Sequence, residues 1–146
     1  MQLRLNYELE PANAARFAAD VVASAAEVSG VTLDYGVDSL DAVDAILEEL
    51  RADGVATEEI AETLFGFGCY VGEVLVRNSD ATWRASNQKE LEWFGWPMVV
   101  GVSEQNVCNP IGKAFKRFEN GVEDSLRYFY TVFVKAGESG EDGKSG

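Results

Sequence analysis

The sequence feature that most constrains the fold is a nearly uncharged run, LFGFGCYVGEVLVR, at residues 64–77. Apolar residues recur in it at helical spacing on almost every side, which predicts a helix buried on more than one face. We expect Thr57 to be the N-cap of this helix, which covers residues 57–77. It contains three glycines, each costing about 0.5–1 kcal/mol relative to alanine inside a helix. They are tolerated only if another element packs where a side chain would clash.

The glycines and the polar residues of this helix fall on different faces. Gly68 and Gly72 are four residues apart and form one row, which predicts close contact with a neighbouring element. A separate polar edge consists of Tyr70, Glu73 and Arg77.

The remaining pattern predicts an α+β fold that is mainly helical. About five helices are expected around the central glycine-containing helix, with a small antiparallel sheet from about residues 81–103. The flanking helices are predicted at residues 13–28, about 38–53, 109–120 and from 123 onward. The strands are predicted at residues 81–85 and 98–102, with a polar loop at 86–90. Residues 1–9 alternate weakly, which is typical of a short strand or of an extended lead-in.

The length of 146 residues favours a single domain. We expect residues 1–136 to form one globular domain. The last ten letters, GESGEDGKSG at 137–146, are polar and glycine-rich, which is typical of a disordered tail.

The charge balance restricts the partners. The chain has 25 acidic and 12 basic residues, a formal net charge of −13. A nucleic-acid site needs a basic footprint, and anionic membranes attract basic segments, so both partners are disfavoured. A basic protein partner is favoured instead. With no export-signal pattern and no apolar run long enough to span a bilayer, we expect a cytoplasmic protein.

The chain contains no histidine. The commonest general base and the commonest metal ligand are therefore absent, as is every catalytic arrangement that depends on histidine. The two cysteines, Cys69 and Cys108, lack the spacing of a metal site or of a redox pair, and we expect both to be reduced. The sequence predicts neither a metal nor a cofactor.

Asp44 is the first candidate for a functional residue. It falls within or beside the apolar stripe of its helix, where a carboxylate must be paired or hydrogen-bonded. One interpretation is a general base or a ligand-binding carboxylate in a cleft. The other is a structural residue that pairs with an arginine such as Arg77 or Arg84, or accepts a tryptophan N–H.

Glu73 is the second candidate. Beside Gly72 its carboxylate is expected to be accessible, and Arg77 follows four residues later in the favourable orientation for an ion pair. With Asp44 and Tyr70 it would form a set of groups suited to acid–base catalysis. The alternative is a surface or half-buried ion pair, which is common and weak.

Aromatic and basic residues provide the remaining candidates. A stacking platform for a sugar or nucleotide could be formed by Trp83, Trp93, Phe94 and Trp96, although aromatic residues at a sheet–helix boundary belong more often to the core. The binding candidates are Trp83, Trp96 and Arg77. A small basic cluster is interpreted as a counterweight to the acidic helices, and it consists of Lys113, Lys116 and Arg117, with Arg127 nearby.

The order of several short motifs resembles a group of small bacterial domains of unknown function, frequent in actinobacteria, that share a Gly-x-Tyr-x-Gly-Glu helix. The motifs are Leu33-Asp34-Tyr35, Ser39-Leu40-x-x-Val43-Asp44-x-x-Leu47, Gly68-x-Tyr70-x-Gly72-Glu73, Trp83, Trp96-Pro97, Lys113-x-x-Lys116-Arg117, Gly121 and Asp124-Ser125-Leu126-x-x-Phe129-Tyr130. The resemblance covers roughly residues 30–135. It implies a compact α+β domain in a bacterial cytoplasmic protein and brings no established activity, but it draws attention to Asp44, Tyr70, Gly72 and Glu73.

Three functions follow as hypotheses. The favoured one is a non-enzymatic binding or protein-interaction domain, immunity-like or inhibitor-like toward a basic partner, with charge steering the association. The alternative is a small-molecule-binding protein or hydrolase-like enzyme that uses Asp44 and Glu73. A homo-oligomerisation module is the third, and it predicts a large apolar surface patch.

Overall fold

The computed structural model describes the backbone of residues 3–145 and the side chains of residues 3–137. The helices of this part are α1 (Ala14–Ser24), α2 (Ser39–Ala52), α3 (Ala61–Asn78), α4 (Gln88–Phe94), α5 (Pro110–Asn120) and α6 (Leu126–Ser145). The strands are β1 (Thr82–Ala85), β2 (Met98–Gly101) and β3 (Val107–Cys108). The predicted fold class, α+β and mainly helical with a small antiparallel sheet, is confirmed.

Helix α3 lies at the centre, and every residue from Leu64 to Leu75 is buried. A 3-10 turn at Thr57–Ile60 leads into it. The expected N-cap at Thr57 is wrong by one residue, because Ala56 occupies the cap and its N–H donates to Glu59 Oε1 at 3.4 Å.

The three glycines of α3 each face a different neighbour. A Cβ built on Gly66 would lie 2.3 Å from Val21 Cγ2 of α1, and one on Gly68 would lie 2.5 Å from Ile111 Cα of α5. At Gly72 the added atom would lie 2.0 Å from the Trp83 ring of β1. Gly68 and Gly72 therefore pack closely against neighbouring elements, as the sequence predicted. Gly66 does the same on another side of the helix.

The three strands form an antiparallel sheet in the order β1-β2-β3. Trp83 pairs with Val100 between the first two strands, and Val100 pairs with Cys108 between the second and third. Pro97 stands directly before β2, where its missing N–H removes no ladder bond. All four residues of β2 are buried, as expected of a central strand between two partners.

Helix α4 replaces most of the polar loop that the sequence predicted at residues 86–90. Asn87 caps it by accepting the Glu90 N–H at 2.8 Å, while the Glu90 carboxylate accepts the Asn87 N–H at 3.0 Å. This reciprocal capping box satisfies two N–H groups at the helix start. It outweighs the polar composition that is typical of a loop.

The described residues before α1, from residue 3 onward, form a lead-in with no strand and end in a 3-10 turn at Pro11–Asn13. Its alternating residues Leu3, Leu5, Tyr7 and Leu9 are half-buried against a core cluster around Phe17. The alternation therefore reflects one-sided packing rather than sheet pairing. Helix α1 continues as a π-helical turn at Ala25–Ser29 and ends at Gly30 with φ 66°.

The chain end has two features that bear on the predicted organisation. The last helix begins at Leu126, after a 3-10 turn at Val122–Asp124, rather than near residue 123. The expected division into a domain of residues 1–136 and a disordered tail of 137–146 stays a prediction. Within the described chain, no helix combines the length and the apolarity that crossing a bilayer requires.

Candidate functional site

Glu73 of α3 is an internal ion-pair residue. Its side chain is only 6% exposed, so the predicted accessibility of this carboxylate is wrong. Trp83 Nε1 donates to Glu73 Oε2 at 3.0 Å, and Arg77 Nε donates to Glu73 Oε1 at 3.2 Å. Because the Trp83 indole covers Gly72, the absence of a side chain there admits the ring instead of opening the carboxylate to solvent.

Tyr70 lies one turn earlier on α3 and is completely buried. Its hydroxyl accepts the Tyr35 N–H at 2.9 Å and lies 2.6 Å from the Ser39 hydroxyl. Burial raises the pKa of Tyr70 above its ordinary value, and the two hydrogen bonds oppose that rise. The phenol therefore stays neutral at neutral pH and ties the turn before α2 to the central helix.

Tyr35 connects Tyr70 with Arg77. Its ring lies 5.0 Å from the Tyr70 ring, and the Arg77 guanidinium stands 3.6 Å above it. Its φ of 66° places a non-glycine residue in the left-handed region, where a side chain is strained. Asn78 Nδ2 donates to the Tyr35 carbonyl at 2.8 Å, which helps to hold this conformation.

Asp44 of α2 belongs to a separate cluster. Its Oδ1 accepts Arg117 Nε at 2.8 Å and the Leu126 N–H at 3.0 Å. Arg117, only 3% exposed, also donates to Glu48 at 2.9 Å. Asp44 thus joins α2 to α5 and caps the N-terminal end of α6 from outside that helix. The pKa of Glu48 is lowered, first of all by the hydrogen bond from Arg117.

The structure therefore separates the two candidate carboxylates. Asp44 is held by Arg117, and Glu73 is held by Arg77 and Trp83. Asp44 pairs with an arginine, as its structural interpretation expects, but the arginine is Arg117 rather than Arg77 or Arg84. The predicted Glu73–Arg77 pair is confirmed. Neither carboxylate lines either of the two cavities described below.

The aromatic candidates also divide. Trp96 is half-buried, with its ring 5.6 Å from Phe65 and 5.5 Å from Phe115, so it packs in the core. Trp83 covers Gly72 and donates to Glu73. Trp93 of α4, by contrast, is 69% exposed.

Sequence reasoning missed one internal ion pair. Glu90 of α4 is 2% exposed, and Arg84 of β1 donates to both of its oxygens at 2.7 Å. The Arg84 guanidinium holds the pKa of the Glu90 carboxyl below its ordinary value. The signal for Glu90 was the Asn-x-x-Glu spacing from Asn87, which is typical of a helix start.

The larger of the two described cavities is a groove of about 450 Å³ between α1, α2 and α3. Its buried or half-buried lining is apolar and includes Phe17, Val21, Ala25, Ile46, Leu50, Ile60 and Phe67. Its exposed lining is mostly polar and includes Arg4, Asp20, Ser24, Glu62 and Thr63, together with the exposed Val28. We call this the α1–α2–α3 groove. The floor has the same apolar residue types as the core, so the sequence alone does not distinguish the two.

The second cavity, of about 320 Å³, lies where α3 ends beside α6 and is lined by residues that include Asn78, Asp80 and Phe133. Cys69 and Cys108 are both buried free thiols, and burial raises the pKa of each. Within residues 3–137 no three His, Cys, Asp or Glu side chains are grouped as a metal site would require.

Comparison with protein-family models, with curated proteins and with solved structures found no significant match. The resemblance to small actinobacterial domains stays a prediction. Function must therefore be argued from the charge and geometry of the chain itself.

Proposed function

We propose that the chain is a non-enzymatic protein-interaction domain that binds a basic partner, in the manner of an inhibitor or immunity protein. The observation that carries this proposal is the placement of charge. Several cations pair with carboxylates of the same domain, and the excess of carboxylates faces solvent.

The pairing of cations with carboxylates of the same domain is clearest in α5 and α6. Arg117 is buried between Asp44 and Glu48, and Lys113 pairs with Asp124 at 2.6 Å. Arg127 of α6 pairs at the surface, where it reaches Asp38, directly before α2, at 3.1 Å and Asp41 of α2 at 2.9 Å. Lys113, Arg117 and Arg127 thus pair with carboxylates of the same chain, which supports the interpretation of the basic cluster as a counterweight. Lys116 is exposed and forms no ion pair within 4.0 Å among the described residues.

Many carboxylates remain on the surface with no ion pair within 4.0 Å among the described residues, including Glu27, Glu49, Asp53, Glu58, Glu59, Glu92, Glu104 and Glu123. An exterior with an excess of one charge raises the rate at which an oppositely charged partner is encountered. It also repels nucleic acid and anionic lipid.

The enzymatic alternative has weaker support. Acid–base catalysis needs its groups near one substrate. Asp44 and Glu73 are held by different cations, and the Tyr70 hydroxyl is occupied by Tyr35 and Ser39. The hydrolase-like reading is tested by Glu73→Gln: an activity found with any substrate and abolished by this change in a folded protein would favour an enzyme.

The test of the proposal is recovery of a partner and measurement of its salt dependence. The immobilised domain is used to isolate a partner, which is then purified, and association is measured by biolayer interferometry. Raising NaCl from about 0.1 M to about 1 M shortens the screening length from about 10 Å to about 3 Å. We expect a basic partner whose association rate falls at least about tenfold over this range. A partner of acidic composition, or association that does not change with salt, would refute the proposal.

A further inference from the structure

The α1–α2–α3 groove combines an apolar floor with an acidic surround. Its floor is formed by side chains from three helices, among them Val21, Ile46 and Phe67. Asp20 and Glu62 are exposed and belong to its lining. Its volume of about 450 Å³ falls within the usual range of about 300–1,000 Å³ for ligand sites.

Further exposed carboxylates adjoin the lining residues in the sequence. Exposed Glu27 precedes the lining residue Val28, exposed Glu49 precedes Leu50, and exposed Glu58 and Glu59 precede Ile60. Arg4 is the cation among the lining residues, and its backbone N–H donates to Glu62 at 3.1 Å. Two exposed cations adjoin the lining as well, Arg16 before Phe17 and Arg51 after Leu50, so the charge of the lining and its sequence neighbours is negative on balance.

We infer that the groove is the docking site for an amphipathic basic helix of a protein partner. This inference rests on the proposed function and assigns it to one surface. A helix that lies in a groove inserts apolar residues at positions i, i+3, i+4 and i+7. Lysines or arginines on its flanks would then face the carboxylates next to Val28, Leu50 and Ile60.

Charge also disfavours the other occupants. A second copy of this chain carries the same net charge of −13, so two acidic surrounds would meet in a dimer through this groove. Like charges placed opposite each other destabilise an interface. A purely apolar small molecule would use the floor and leave the carboxylates without a role.

The test uses a synthetic peptide of leucine and lysine, about four helical turns long, with leucine at i, i+3, i+4 and i+7. A second peptide has the same composition in an order that removes the apolar stripe. Binding of each labelled peptide to the full chain is measured by fluorescence anisotropy, at low salt where the charge contribution is largest.

The protein variants are Val28→Lys and a matched control, Val122→Lys. Val28 is 84% exposed and lines the groove, whereas Val122 is 73% exposed on the 3-10 turn before α6 and is not among the lining residues. Each change adds the same charge at an exposed valine, so neither removes core packing. We expect Val28→Lys to weaken binding of the striped peptide about tenfold and Val122→Lys to weaken it less than about twofold.

Several results would overturn the inference. They are equal weakening by the two variants, equal binding of the two peptides, or no binding of the striped peptide. A wild-type dimer in analytical ultracentrifugation that Val28→Lys dissociates would assign the groove to a second copy instead. If an apolar fluorescent dye binds the wild type but not Val28→Lys, and neither peptide binds, the groove would be assigned to a small molecule. The salt-dependent binding of a natural basic partner is measured separately, so the groove inference can fail while the proposed function stands.

Discussion

Replacing Gly68 by alanine should destabilise the protein, although alanine is the better helix former. In a free helix the change would gain about 1 kcal/mol. Here the new Cβ would lie 2.5 Å from Ile111 Cα and 3.2 Å from Ile111 Cβ. The nearest atom belongs to the backbone of α5, so a side-chain rotation cannot relieve the clash, and α5 itself must move.

The size of the effect follows from these two opposing terms. Inserting a methyl group into a well-packed core costs about 1–3 kcal/mol, and a contact with backbone belongs at or above the upper end. After the gain of about 1 kcal/mol in helix propensity, we expect a net loss of about 2 kcal/mol. For a chain of this length, that loss lowers the melting temperature by about 4–8 °C.

Gly66→Ala is the matched control, since it makes the same substitution in the same helix. Its Cβ would meet the Val21 Cγ2 methyl at 2.3 Å, while the next atom lies 3.8 Å away. A valine methyl at the edge of the groove can yield by a small shift of one side chain. We therefore expect the stability of Gly66→Ala to lie within about 1 kcal/mol of wild type.

The assay is urea unfolding followed by circular dichroism and by tryptophan fluorescence, which should give coincident transitions if unfolding is two-state. The slopes of the free energy of unfolding against urea should agree among the proteins, so that differences in midpoint report stability. A Gly68→Ala protein as stable as wild type, or more stable than Gly66→Ala, would refute the packing argument.

Three further predictions concern the polar clusters. Glu90→Gln should cost about 2 kcal/mol at neutral pH, because it removes the charged acceptor of Arg84. Since the pKa of Glu90 is lowered in the folded protein, the stabilisation by this carboxylate is present above about pH 4.3 and is lost as the pH falls through the folded-state pKa. The urea unfolding curves of wild type and variant should therefore converge in acid. By urea unfolding, Tyr35→Ala should have a free energy of unfolding about 1 kcal/mol lower than that of Tyr35→Gly. Both variants lose the ring, but only glycine adopts the φ of 66° without strain. Equal free energies of unfolding would contradict the strain argument. Asp44→Asn should cost about 3 kcal/mol because it leaves buried Arg117 with a weaker partner, and a change below about 1 kcal/mol would show that the pair contributes little.

The sequence predicted the central position of α3 because two local features indicated it independently. An apolar pattern on nearly every side requires burial, and glycines inside such a helix require close neighbours. The sequence did not show which residues pack against these glycines. Val21, Ile111 and Trp83 lie on three different elements, and each pairing depends on how distant parts of the chain return to the central helix.

The candidate site divides in the same way. The sequence identified Asp44 and Glu73 as carboxylates that need partners, and the i, i+4 spacing indicated Arg77 for one of them. It did not indicate Arg117 for the other, because the two residues stand 73 positions apart in the chain. It also could not separate the floor of the α1–α2–α3 groove from the core.

The amino-acid sequence alone determined the mainly helical class, the buried central helix and the negative charge, because each depends on composition or on short-range periodicity. The tertiary structure alone decided which charges neutralise each other and which face solvent. Pairing depends on distances between residues far apart in the chain, and these are set only when the helices pack. The close packing of Val21, Ile111 and Trp83 is also the reason that α3 requires glycines at these positions.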